Sequence, residues 1–140
     1  MQTKKVTQYK CDYCKKKGLS ASHMSRHEKH CTMNPDRYCR MCDLLGHEQA
    51  NIKDMLSILP DPKLFEDDSV EWNNVLPEQT EIAMPKLRDI TNNCPMCIMA
   101  ALRQKGIPVL MINSFDYKKE VEELFYQHNQ DQLEKDHGYY

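Results

Sequence analysis

With 140 residues, 29 % of them charged and 40 % apolar, the chain has room for one ordinary domain, or for a small module joined to a modest core. No stretch approaches the roughly 18 consecutive apolar residues of a membrane span. The leading MQTKKVTQYK carries charge with no apolar core behind it, which argues against a secretory signal.

The net charge of −2 conceals an asymmetry. Residues 1–31 hold eight Lys or Arg against Asp12 and Glu28, while residues 32–140 hold eleven against nineteen acids. A basic head on an acidic body suggests two tasks. Seven cysteines cannot close into a full disulfide set, and six of them fall in Cys-x2-Cys pairs (11/14, 39/42, 94/97). Such pairs clasp metals, which predicts a reducing compartment: intracellular, cytoplasmic, or nuclear in a eukaryotic cell.

The first element is a basic finger within residues 1–31. It reads Tyr9-x-Cys11-x2-Cys14-x12-His27-x3-Cys31. Two cysteines on a tight hairpin present thiolates together, and an x3 pair one helical turn apart completes a tetrahedron. This pattern resembles the Cys-Cys-His-Cys variant of the ββα zinc finger family over about 23 residues. Tyr9 and Met24 match apolar positions of the family. Its aromatic position is Gly18 here, with Leu19 adjacent. The resemblance implies a zinc ion on Cys11, Cys14, His27 and Cys31. His23 and His30 are expected in solvent, although His30 could compete with Cys31. The resemblance also implies nucleic-acid contact, to DNA before RNA. Ser20, His23 and Arg26 would face bases, and Lys15, Lys16, Lys17 and Lys29, with Lys4, Lys5 and Lys10, would meet phosphates. A lone finger makes few contacts, so a partner, a dimer or the second domain must contribute.

Residues 32–38 read as a polar linker with a turn at Asn34-Pro35-Asp36. The second domain, 39–129, opens on Cys39-x2-Cys42 followed by Gly46-His47. That is the spacing of a zinc knuckle, but Ile52 stands where the knuckle's last cysteine belongs. Counting supplies the missing ligands. With the finger complete, Cys39, Cys42, Cys94 and Cys97 form a four-cysteine set that resembles zinc ribbons in ligand spacing. It departs from them in the 51 residues between its pairs. His47 is expected at a helix start; the alternative joins it to Cys39, Cys42 and one of Cys94 or Cys97.

A helix is expected from about Gly46 to Leu59, stopped by Pro60-Asp61-Pro62. Residues 60–81 hold seven acids and one base, and read as an extended acidic loop. Leu64, Phe65, Val70, Trp72, Val75 and Leu76 would staple it to the core. Pro85 begins a short helix ending near Asn92-Asn93. Cys94-Pro95 opens another, capped by Gly106. PVLMIN (108–113) is a buried strand or a connector. Asn113, Ser114 and Asp116 are candidate caps of a final helix with Tyr117, Val121, Leu124, Phe125 and His128 on one stripe. Residues 130–140 read as a polar tail.

The whole predicts a small α+β zinc protein: a ββα-like finger plus a mainly α-helical, zinc-stapled domain with two structural Zn2+. No catalytic motif stands out. A redox reading of Cys94-Pro-Met-Cys97 lacks a surrounding βαβ pattern, and a nuclease reading of Glu66, Asp67, Asp68 and Glu71 lacks a companion motif. The function expected is a non-enzymatic, nucleic-acid-binding accessory or regulatory protein. The alternative is a protein-interaction module or inhibitor that grips a basic partner through the acidic loop and final helix. In composition the chain is loosely similar to small finger proteins of bacteriophages and mobile elements.

Overall fold

The computed structural model describes residues 1–65 and 71–137. Strand β1 (Tyr9–Lys10) pairs antiparallel with β2 (Lys17–Gly18), placing Tyr9 opposite Gly18. Helix α1 (Ala21–His30) follows. The Ser20 hydroxyl caps it by accepting from the His23 amide, and His27, Lys29 and His30 populate its last turn, where the helix dipole favours cations. The unit buries little: Cys11, Met24 and Cys31, with Cys14 and Met33 packed beside them. Leu19 does not replace the aromatic absent at Gly18, since it is 64 % exposed. Met33, from the next segment, covers the small core instead.

That next segment is not the free linker its polarity suggests. Asn34 and Arg37 are buried. The Asn34 amide donates to Glu28 O at 2.8 Å, and the Tyr38 amide to Lys29 O at 2.9 Å. Gln104 donates to both Thr32 O and Asn34 O, and Arg103 to the Thr32 hydroxyl at 2.6 Å. Residues 32–38 therefore dock the finger against the second unit.

The helix expected over 46–59 is two helices, α2 (Arg40–Leu45) and α3 (Ile52–Ile58). Gly46 separates them. Its φ of 74° is left-handed, and the Gly46 and His47 amides close back on Asp43 O and Cys42 O. Only glycine adopts that turn without strain. His47 thus ends a helix rather than starting one. Asn51 caps α3 through the Lys53 amide at 2.8 Å.

The largest departure is α4 (Glu71–Thr91), which occupies the second half of the expected acidic loop and carries Pro77 and Pro85 inside it. Pro85 therefore does not begin a helix. Leu76, Thr80, Met84, Leu87 and Thr91 form its buried face. Both threonines satisfy their hydroxyls within the helix, donating to Leu76 O and Leu87 O at 2.7 and 2.8 Å. Pro85 is on the exposed side. Of the expected staples, Leu76 is buried; Val70 and the side chains of Leu64, Phe65 and Trp72 lie outside the described residues.

Helix α5 (Pro95–Lys105) forms the centre of the fold, with α3, α4 and α6 packed around it. Ile98, Ala100, Ala101 and Leu102 have no exposed surface. Gly106, at φ 83°, closes it with the same turn as Gly46. PVLMIN contains a 3-10 turn (Val109–Met111) rather than a strand. Helix α6 (Tyr117–His137) is capped by Asp116, which accepts from the Lys119 amide. Tyr117, Val121 and Leu124 touch the core, while Phe125 is 44 % exposed. The helix runs on through residues 130–137 of the expected tail. Arg88 grips both carboxylate oxygens of Glu120 at 2.6 and 3.0 Å, tying α4 to α6. No helix among the described residues is long and apolar enough to cross a membrane.

Candidate metal centres

Two groups of four ligand atoms converge, Cys11/Cys14/His27/Cys31 and Cys39/Cys42/Cys94/Cys97, with all atoms within 4.8 Å of one another in each. The first is assembled by the hairpin and α1. The Tyr13 and Lys16 amides donate to the sulfurs of Cys11 and Cys14, both at 3.4 Å, so the turn itself aims N–H groups at the thiolates. Cys14 Sγ lies 3.2 Å from His27 Nε2. Burial, aided by nearby Lys16, holds the His27 imidazole below its usual range, which favours the neutral, metal-binding form. Burial pushes the Cys31 thiol up to about 11. Cys11 and Cys31 are buried, and Cys14 and His27 are half-buried. His30 does not compete: its Nδ1 is 2.8 Å from Tyr38 O. His23 is exposed.

The second group joins two helix N-termini. Cys39 and Cys94 are the residues before α2 and α5, and Cys42 and Cys97 lie in the first turn of each. Both helices therefore direct their partial positive ends at the sulfurs. Cys39 Sγ is 3.6 Å from Cys94 Sγ, and Cys42 Sγ is 3.5 Å from Cys97 Sγ. All four are essentially inaccessible. His47 is not among the converging atoms.

Four buried thiols this close cannot all ionise without a cation. Hydrogen bonds from Cys94 and Cys97 hold Cys39 far below the ordinary thiol range, while Cys94 is driven far above it by the same contact with Cys39. Burial and the neighbouring Cys97 push Cys42 up to about 12. A divalent cation would remove the conflict by taking all four as thiolates.

Arg37 provides an independent test of that fit, and sequence reasoning missed it. Its side chain is only 5 % exposed, its Nη1 donates to Cys97 Sγ at 3.6 Å, and its Nε has no partner. A buried guanidinium needs a counter-charge. Among the described residues no carboxylate pairs with it. Four thiolates around one divalent ion carry a net charge of −2, which supplies the missing anion. No sequence pattern marks this arginine, because its partner cysteine is 60 residues away.

The residues proposed to face nucleic acid surround α1. Lys15, Lys16, Lys17, His23, Arg26 and Lys29 are exposed, and Ser20 is half-buried as the cap. Glu66, Asp67 and Asp68 of the acidic segment, and the side chain of Glu71, lie outside the described residues. Compared with protein-family models, curated proteins and solved structures, the chain matches none. Any functional reading therefore rests on the two Cys/His groups and the surfaces around them.

Proposed function

We propose that the protein holds two structural zinc ions and contacts nucleic acid, DNA in preference to RNA, through the exposed side chains of α1 and its hairpin. Sulfur and imidazole donors in sets of four favour zinc over the harder divalent ions. Each set fills a tetrahedron and leaves no open position for substrate, so the metals hold the structure rather than act in catalysis. The first group also keeps the ligand spacing, hairpin and helix similar to those of Cys-Cys-His-Cys ββα fingers.

The observation that carries the nucleic-acid reading is the basic surface itself. Six cationic or imidazole side chains are exposed along the hairpin and α1, and among the described residues none of them forms an ion pair. Clustered, unpaired cations are the electrostatic footprint of a polyanion site. The test is binding of zinc-loaded protein to random duplex DNA and single-stranded RNA across a salt series. Affinity should fall steeply with salt, and Lys15/Lys16/Lys17→Glu should abolish it. Absence of binding to either polymer at roughly 50 mM salt would overturn the reading.

A further inference from the structure

A cleft of about 620 Å³ opens between α1 and the second unit. That size lies within the roughly 300–1,000 Å³ of ordinary ligand clefts. Its lining includes Lys16, Arg26, His23 and His30 from the finger, and Arg40 and Arg103 from the second unit. Among the described residues no carboxylate lines it. One wall is the accessible side of the first Cys/His group.

We propose that this cleft is a phosphodiester-backbone site, in which Arg40 and Arg103 extend the contact surface of the finger. The inference rests on the nucleic-acid reading above and assigns to the second unit a role in binding. Three observations carry it. The docking of residues 32–38 fixes the two walls relative to each other, so the cations converge by construction. Arg103 is held in place by its 2.6 Å bond to Thr32. The Arg40 side chain is exposed and makes no hydrogen bond or ion pair among the described residues. His23 and Arg26 are exposed on α1 and also line the cleft, so a strand contacting α1 there leads into it. This supplies contacts that a lone finger lacks.

The experiment compares zinc-loaded wild type with Arg40→Gln, Arg103→Gln and the control Lys53→Gln on one duplex DNA across a salt series. Each phosphate contact adds about 0.9 to the slope of log affinity against log salt. Loss of one therefore lowers affinity about eightfold at 0.1 M salt. Both cleft variants should show that loss with the shallower slope, and Lys53→Gln should stay within twofold. Native mass spectrometry checks that each variant keeps two metals. If Arg103→Gln does not, because it has lost Thr32, Arg40→Gln decides alone, and Arg40→Lys should restore the slope.

Cleft variants that bind like wild type would overturn the proposal and leave the nucleic-acid reading standing. A wild type that binds no polymer would overturn both. Equal losses in Lys53→Gln would reduce the effect to net charge and overturn the cleft. A mononucleotide that competes as well as duplex at equal phosphate concentration would make the cleft a small-anion pocket, also against the proposal.

Discussion

The two candidate metal centres use similar donors at opposite sequence ranges. The finger gathers its ligands within residues 11–31, around a core that is little more than Met24 and the ligands themselves. The second centre draws together pairs 55 residues apart and is embedded in the main hydrophobic core beside Met55, Leu87 and Ile98. In the finger a metal would replace a core that the chain is too short to build. In the second unit it would close a long loop around a core that already exists, and the cost of that closure grows only slowly with length. Similar chemistry would therefore do two jobs, and the mutations that separate them differ in size.

The largest expected effect is that of Cys94→Ala. It removes one corner of a buried four-sulfur site and should lower the metal count from two to one while destabilising the second unit, whose core keeps part of its helix. Native mass spectrometry and far-UV circular dichroism report both. Two metals retained in that variant would sink the long-range site. His27→Ala should produce the complementary and smaller loss: one metal, and the ten residues of α1. The second unit should melt as before. A collapse of both units would mean that the finger is part of the core rather than docked on it.

Arg37→Met sharpens the comparison further, because only the second centre has a buried guanidinium beside it. A zinc ion supplied to it should be held about 10–100-fold more weakly in competition with a chelator, the usual cost of losing a supporting group around a metal. Zinc binding by the first group should be unaffected. Equal retention would show that another group balances the charge. The smallest effect is expected of Glu120→Gln, which breaks the partly exposed Arg88 pair. It should cost about 0.5–1 kcal/mol in a denaturant melt and change neither metal.

What was legible in the sequence was local. The x2 and x3 spacings named both ligand groups that the structure brings together, and Cys94-Pro95 with Gly106 bounded α5 at both ends. The misreadings share a cause, which is that local signals were overridden by packing. Pro77, Pro85 and a run of acids argued against a helix where α4 lies. The competing signal was Leu76, Thr80, Met84, Leu87 and Thr91 at helical spacing. Two threonines hid it, because a hydroxyl that bonds to its own helix can be buried like an apolar group. The 32–38 segment looked like a linker because its contacts come from Gln104 and Arg103, about 70 positions away. Arg37 was invisible for the same reason.

The span of the second centre also sets an order of events during synthesis. The finger's four ligands leave the ribosome close together and can take their metal at once. Cys39 and Cys42 must wait for partners 55 residues downstream, which at about 5–20 residues per second is roughly 3–11 s. Throughout that interval the nascent chain carries a folded, charged head and a pair of unclaimed thiols. A chain interrupted before Cys97 cannot complete the second ligand set, so closure of this site would come after that of the first.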